Sequence, residues 1–325
     1  MKHTEVIQAW GKILKGHKPS MSIEITKECP LRCPGCYAFA EGHVGGTNLK
    51  DLSDRRGDTL VRDVLALVDE QRPLHLSIVG GDPLVRYREL SALLPELAKR
   101  GIFVQVVTSA FRQLPPEWTQ IPKLGIVVSI DGLQPEHDVR RKPATYERIL
   151  KNIAGHQVTV HCTITAQMMN RPGYLAEFLR FWSPKPEIRK IWFSMFTPQI
   201  GEVAAEILSP EQRQECVTEL LRLRIEYPKV DMYEAQIREF VHPPKSPEDC
   251  IFAQTTTIIS ADLKTVIEPC QLGGNPDCSQ CGCVASMGLA AVGHYELGMG
   301  ITAGKVFRMS HKAGAQIRKW RQRVA

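Results

Sequence analysis

Between Met21 and Glu226, short runs rich in Val, Ile and Phe alternate with longer stretches in which apolar residues recur every three or four positions. The first kind reads as β-strand and the second as amphipathic helix. The alternation predicts strands at 21–26, 74–79, 102–108, 124–130, 158–165 and 190–196. It predicts helices near 59–71, 86–100, 144–155, 172–182 and 209–226, and a weaker one near 114–120. A leading helix over 5–16 presents Val6, Ile7, Trp10, Ile13 and Leu14 at helical spacing. Ser209-Pro210-Glu211 marks a helix start, with a capping hydroxyl, proline at the first helical position and an acid in the first turn.

Six strand–helix units in about 210 residues imply right-handed crossovers and an all-parallel sheet. Six are too few for a closed eight-fold barrel, so the expected class is α/β, a partial (three-quarter) (β/α)6 parallel barrel. A doubly wound open sheet fits the periodicity equally well. In both, chemistry belongs in the loops after the strand C-terminal ends. The rhythm changes after Tyr227-Pro228. A proline-rich link (His242–Pro247) leads to a small cysteine-rich module over 250–285, in which 255–260 and 265–268 read as a β-hairpin. The expected parts are therefore a leading helix (1–20), the core (21–228), linker and module (229–303) and a basic tail (304–325).

At 43% hydrophobic and 23% charged residues, the chain has the balance of an ordinary globular protein. Apolar runs such as Ile126–Ile130 are too short to span a bilayer, and no apolar stretch follows the charged first residues. The expected compartment is the reducing cytoplasm, where clustered cysteines are metal ligands or catalytic thiols more often than disulfides. The net charge of +6 is a tail property. Seven Lys/Arg lie in 304–325 without an Asp or Glu, and setting them aside leaves −1. A broad nucleic-acid footprint on the core is not expected. Val306, Phe307, Met309, Ile317, Trp320 and Val324 are interspersed with those charges, which suits a solvated terminal helix or a basic surface for anionic lipid.

The sharpest chemical feature is Cys29-Pro-Leu-Arg-Cys33-Pro-Gly-Cys36, in the loop directly after the first strand. Three thiolates in eight residues can hold three irons of a cubane and leave the fourth open to a ligand. Zinc is the competing reading, but structural zinc prefers four closed ligands and only His43 lies nearby. Other candidate residues end later strands: Gly80-Gly81-Asp82-Pro83 after the second, Thr108 at the end of the third, and Ser129-Ile-Asp131-Gly132 after the fourth, followed by His137-Asp138 and Arg140-Arg141. Taken singly, each has a plain structural reading as a strand-end turn, a loop-capping acid or a helix-start charge.

Taken together and in this order, these motifs over about 20–200 resemble the radical S-adenosylmethionine (SAM) superfamily. The resemblance implies a [4Fe–4S] cluster on Cys29, Cys33 and Cys36, with SAM on its open iron. It implies SAM contacts at Gly80, Gly81, Asp82, Thr108, Ser129, Asp131 and Arg141. Asp82 stands where the family more often has Glu, and Tyr37 follows the last cysteine where many members have an aromatic before it. Phe193, Met195 and Phe196 are candidates to flank the adenine.

A second group, Cys250, Cys270, Cys278, Cys281 and Cys283, resembles the auxiliary-cluster modules called twitch and SPASM. The implied ligands of a second [4Fe–4S] cluster are Cys250, Cys270, Cys278 and Cys281, with Cys283 as substitute. The same residues could build a four-cysteine zinc site. Cys162 and Cys216, within a strand and a helix, read as buried structural residues. The resemblance further implies reductive SAM cleavage, an electron donor such as flavodoxin or ferredoxin, and hydrogen abstraction from a peptide or small molecule. Two alternatives remain: a lipid-directed enzyme forming a C–C bond, suggested by a looser likeness to hopanoid-type radical SAM enzymes and by the basic tail with its peripheral-membrane potential, and a non-catalytic iron–sulfur or zinc scaffold.

Overall fold

The computed structural model describes residues 3–324, with side chains for 7–320. The side chains of Val6, Arg321, Arg323 and Val324 lie outside the described residues. The chain opens with α1 (His3–Leu14) and β1 (Ser20–Glu24). It continues through α2 (Gly57–Gln71), β2 (His75–Val79), α3 (Tyr87–Lys99), β3 (Phe103–Thr108) and β4 (Leu124–Ser129). Next come α4 (Gln134–Arg140), α5 (Tyr146–Asn152), β5 (Val158–Ile164), α6 (Ala166–Met169), α7 (Tyr174–Trp182), β6 (Ile188–Met195) and α8 (Pro210–Glu226). The C-terminal part adds α9 (Glu234–Arg238), α10 (Ile251–Thr255), β7 (Thr256–Ile259), α11 (Val284–His294), β8 (Glu296–Gly298), β9 (Ile301–Thr302) and α12 (Ala303–Val324). Ser209 caps α8 as expected: its hydroxyl accepts from the Gln212 amide, and the Gln212 side chain returns the bond to the Ser209 amide. The weak helix predicted near 114–120 is a 3-10 turn over Pro116–Gln120.

Among the described residues, the main sheet has seven strands in the order β6-β5-β4-β3-β2-β1-β7, and the strand partners within it run parallel. The order of β1 to β6 is sequential and the sheet does not close, which is the partial barrel expected from six strand–helix units. The seventh strand was not in that expectation. Of the anticipated hairpin, the first arm becomes β7 and lies along β1, with Ser20 opposite Thr256 and Ile23 opposite Ile259. Its start at Thr255 is instead the last turn of α10. The second arm folds back antiparallel, joined by the Ser260 amide to the Thr265 carbonyl (2.8 Å) and the Ile267 amide to the Ile258 carbonyl (2.9 Å).

The two faces of the sheet differ in chemistry. Met21, Ile23, Leu76, Ile78, Val104, Val106, Ile126, Val128, Val160 and Phe193 are buried in one core with Leu60, Val64, Leu90, Leu94, Ile149, Phe178, Trp182 and Leu220 of the helices. Side chains alternate along a strand, so the opposite face carries Ser22, Glu24, Ser77, Gln105, Ser129, Thr159, His161 and Ser194. Among the described residues no helix is long and apolar enough to cross a membrane.

Candidate active site and auxiliary cysteine site

Cys29, Cys33 and Cys36 sit in the loop leaving β1, all three partly buried. Burial pushes the Cys29 thiol up to about 12, and Asp82, Cys36 and Cys33 press in the same direction. Burial also raises Cys33 and Cys36, but the Arg141 guanidinium opposes it at both. The three thiols are therefore close enough to feel one another, and a fixed cation stands beside two of them.

The loop is held by the Gly-Gly turn after β2. The Gly81 amide donates to the Thr26 carbonyl (2.7 Å) and the Asp82 amide to the Glu28 carbonyl (2.9 Å). A Cβ at Gly81 would stand 2.1 Å from the Glu28 carbonyl oxygen, and one at Gly80 would stand 2.6 Å from that of Thr26. Only glycine permits this approach. Arg86, its side chain only 6% exposed, ties the same loop from below, with Nη2 at 3.0 Å from Glu28 Oε1 and 2.7 Å from Asp54 Oδ2. Thr26 Oγ1 donates to that Asp54 oxygen at 2.9 Å.

The side chain of Asp82 points inward rather than towards the loop opening. Its carboxylate accepts from Thr108 Oγ1 (2.6 Å), the Ser109 amide (2.9 Å), Ser109 Oγ (2.5 Å) and the Leu84 amide (3.0 Å). Burial raises its pKa, although the donors at Ser109 and Thr108 pull the other way. Thr108 is thus brought to Asp82, and the side chains of both are engaged in fixing the β2 and β3 ends.

The end of β4 presents a second acid. Asp131 accepts from Arg141 Nε (2.8 Å) and Arg140 Nε (3.2 Å). Burial alone would raise its pKa, but the two guanidiniums outweigh this and hold the carboxyl below its ordinary value. His137 orients the turn: its Nδ1 accepts from the Asp131 amide (3.0 Å), so Nε2 carries the proton and donates to the Ala144 carbonyl (2.8 Å). Burial takes its pKa down to about 4, consistent with this neutral tautomer. Ser129 lies opposite His161 of β5 on the polar face. His161 Nε2 is 2.8 Å from Ser194 Oγ, and burial lowers its pKa to about 4. Of the three adenine candidates, Phe193 and Met195 are core residues, whereas Phe196 lies 3.6 Å from the position of a Cβ on Gly35, inside the cysteine loop.

The C-terminal cysteines converge from three separate segments. Cys250, Cys278 and Cys281 lie within electrostatic reach of Cys270, and Cys281, Cys270 and Cys250 within reach of Cys283. Burial is the main cause of the raised pKa at Cys270, Cys278, Cys281 and Cys283, up to about 12 at Cys270 and about 11 at Cys278. Cys250 Sγ is 3.2 Å from Ser286 Oγ. The 278–283 loop docks on the end of β6 through the Met195 amide to the Gly282 carbonyl (2.9 Å), the Gly282 amide to Thr197 Oγ1 (2.8 Å) and the Val284 amide to Ser194 Oγ (3.2 Å). Arg213 of α8 clamps it from behind, donating to the carbonyls of Phe240 (2.9 Å), Cys281 (3.0 Å) and Gln280 (2.6 Å). Cys162 and Cys216 are buried in the core.

Residues 23–177, which contain the cysteine loop, the Gly-Gly turn and the Asp131 turn, match the family model of the Radical SAM superfamily. The chain carries a radical SAM domain. SuiB of Streptococcus suis bound to its precursor peptide SuiA is similar in fold, at 13% identity and a TM-score of 0.56 over 83% of this chain and 63% of that one. The chain thus spans under two thirds of SuiB. Native anSMEcpe with bound AdoMet matches at 13% identity and a TM-score of 0.56, over 82% of this chain and 79% of its own. At such identity these likenesses speak to the fold. No match is found among curated proteins.

The family implies a [4Fe–4S] cluster and SAM, and the donor set of the radical SAM domain fits them. Among the described residues, no three His, Cys, Asp or Glu side chains converge on a point that one metal ion would fill. A cubane takes each thiolate on its own iron. Three neighbouring thiols in a glycine-cradled loop, next to two guanidiniums that favour an anionic group, suit that arrangement.

Sequence reasoning passed over a buried polar group between the two cysteine sites. Glu24, with no exposure, accepts from Ser260 Oγ (2.6 Å) and lies 2.8 Å from His43 Nε2, while His43 Nδ1 donates to the Leu272 carbonyl (2.9 Å). His43 is therefore committed inside the fold. The Tyr37 ring stands edge-on to His43 at 5.5 Å, with Gln271, Cys36 and Cys283 nearby. Arg86 and Arg213 were also missed. The alternation Ser22-Ile23-Glu24-Ile25-Thr26 was the available signal, since polar residues at every second position of a buried strand mark a functional inner face.

Proposed function

We propose that this chain is a radical SAM enzyme that cleaves SAM reductively to a 5′-deoxyadenosyl radical and abstracts hydrogen from a peptide or other polar small substrate. The observation that carries this reading is the three-thiol loop clamped against Gly80-Gly81, with the Asp131–Arg140–Arg141 cluster beside it. Cys29, Cys33 and Cys36 would hold the catalytic [4Fe–4S] cluster, which when bound would supply an open iron for SAM and the electron for its cleavage. The main chain of Gly80–Asp82 bounds the place where the amino acid part of SAM would lie. Asp82 and Thr108 keep that turn in shape. Arg141, paired with Asp131, sets a positive charge at the thiolates, and Ser129 adds a hydroxyl on the same side. Phe196 offers the apolar wall against which an adenine could rest.

The polar sheet face favours a substrate with hydrogen-bonding groups over an acyl chain. Ser22, Gln105, Ser129, His161 and Ser194 line it, and burial keeps His161 neutral near pH 7, so that it meets a substrate as a hydrogen-bonding group without charge. SuiB and anSMEcpe, the structures of similar fold, were solved with peptides bound, which supports a peptide. Cys250, Cys270, Cys278 and Cys281 are assigned to an auxiliary [4Fe–4S] cluster, with Cys283 as a fifth thiol in reach. A flavodoxin- or ferredoxin-type donor would supply electrons.

The test is anaerobic reconstitution with iron and sulfide, then reduction by dithionite in the presence of SAM. Slow formation of 5′-deoxyadenosine without substrate is expected, and faster formation when a substrate peptide is present. Absence of this product, with both clusters verified by spectroscopy, would turn the reading towards an iron–sulfur scaffold.

A further inference from the structure

The C-terminal ribbon and helix leave an apolar and basic surface that the radical SAM chemistry does not use. The ribbon β8–β9 projects Leu297 (57% exposed), Met299 (98%) and Ile301 (44%), with Tyr295 at its base (68%). Side chains of this size are ordinarily covered, and a contiguous exposed apolar group marks an interaction surface. The ribbon runs directly into α12. On α12, Ala303, Phe307, Ser310 and Gly314 are buried, and Trp10 Nε1 of α1 donates to Ser310 Oγ at 2.9 Å. The opposite stripe, Lys305, Met309, Lys312, Gln316 and Trp320, is exposed. Lys305 Nζ donates to the Gly300 carbonyl at the ribbon tip (2.9 Å). The ribbon tip and the exposed stripe therefore share one side, because residues three and four apart follow Lys305 along the same helix face.

The exposed charges of α12 are all basic, and the acid nearest the ribbon tip in sequence is Glu296, exposed at the start of β8. From Leu297 to the end of the chain there is no Asp or Glu. A pocket of about 230 Å³ opens at the junction, lined among others by His242, Lys245, His294 and Arg308, with Asp249 as its carboxylate. His294 is already held by Glu239 (2.7 Å).

We propose that the β8–β9 ribbon and the exposed face of α12 form a peripheral docking surface for an anionic phospholipid bilayer. Met299, Leu297 and Trp320 would enter the interface, and Lys305, Arg308, Lys312 and Lys319 would pair with lipid phosphates. An apolar tip flanked by lysines, with a tryptophan on the same helix face, has the composition of interfacial anchors. A soluble acidic partner would match the charge but leave the ribbon tip in water.

Co-sedimentation of the full-length, cluster-loaded protein tests this, using vesicles of phosphatidylcholine with and without phosphatidylglycerol. Binding is expected only to the anionic vesicles, with release by about 0.5 M salt as screening shortens the reach of each charge. Each of Lys305→Gln, Arg308→Gln and Lys312→Gln should weaken binding about five-fold, the equivalent of ~1 kcal/mol per basic residue. Met299→Asp should abolish it at unchanged salt. All four positions are exposed, and unchanged circular dichroism and unchanged 5′-deoxyadenosine formation would show that fold and chemistry persist. Equal or no binding to both vesicle types overturns the proposal. So does binding to soluble polyglutamate without vesicle binding, which would assign the face to an acidic polypeptide. Self-association relieved by Met299→Asp, again without vesicle binding, would assign it to a second copy.

Discussion

The two cysteine groups are each anchored to a strand end by a glycine, yet they are assembled differently. In the first, Gly81 seats the loop after β1 against β2, and the three thiols come from eight consecutive residues. In the second, Gly282 seats a loop against β6; a Cβ there would stand 2.1 Å from the Met195 carbonyl oxygen. Its cysteines come from three segments spread between Cys250 and Cys283. Bringing distant segments together costs more chain entropy than closing a short loop. The first site is therefore shaped by the sheet ends and the Arg86 clamp beside them, whereas the second relies on β7 docking to β1 and on Arg213. The lesson concerns the source of order: one site is a loop of the barrel, and the other is a small fold built on the barrel edge, which the proposed cluster would complete.

The largest expected effect separates the sites by ligand. Replacing Cys29, Cys33 and Cys36 together by alanine should abolish 5′-deoxyadenosine formation and remove about four of about eight irons, with the fold retained. Iron and sulfide analysis beside product assay checks this; persistent cleavage would break the assignment. Chelation of all iron tests the difference in order. Hydrogen exchange should rise across 250–283 far more than in β1 to β4, because only the module depends on its metal for closure.

The glycine anchors come next. Gly81→Ala and Gly282→Ala each force a Cβ into a backbone carbonyl, at a cost of about 1–3 kcal/mol. Gly81→Ala should deplete iron from the first site and Gly282→Ala from the second, measured as iron content and melting temperature. Equal losses in both variants would erase the distinction. Arg213→Met should then cost about 2–3 kcal/mol by stripping a charged donor from three carbonyls, with faster exchange confined to 278–284.

The smallest effect is a pH dependence. Burial depresses His137 and His161 to about 4 in the folded chain. Between that value and the unfolded value of about 6.5 the unfolded chain binds more protons, so stability rises with pH. The full contribution is present above about 6.5 and is lost as pH falls towards 4, by about 1 kcal/mol per histidine between pH 7 and pH 5.5. Urea unfolding of wild type and His161→Gln should show a shallower acid loss in the variant.

Much of this was legible before the coordinates. Each of the six strands and the main helices lies within a few residues of its expected place, because one strand face and one helix stripe had to be apolar to share a core. The ordered motifs at the ends of β1, β2 and β4 did bring the cysteine loop, Gly80-Gly81 and Asp131 to one edge of the sheet. What periodicity could not give was long-range pairing. Nothing local in Thr256–Ile259 says that it will lie along Ser20–Ile23 as well as pair with its own return arm. The inward turn of Asp82 was equally hidden, since it depends on Thr108 and Ser109 arriving from the next strand. The Glu24–His43 pairing was hidden for the same reason, and His43 entered the reading only as a zinc candidate: their further partners Ser260 and Leu272 are more than two hundred residues away.

The central claim is that only the first site offers an open iron to SAM. Electron paramagnetic resonance of the reduced protein, recorded with and without SAM, tests it most directly. The account predicts two cluster signals, of which SAM alters one, and predicts that this response disappears in the Cys29/Cys33/Cys36 triple alanine variant while the other signal persists. Two signals that SAM leaves unchanged, or a response that survives in that variant, would contradict it.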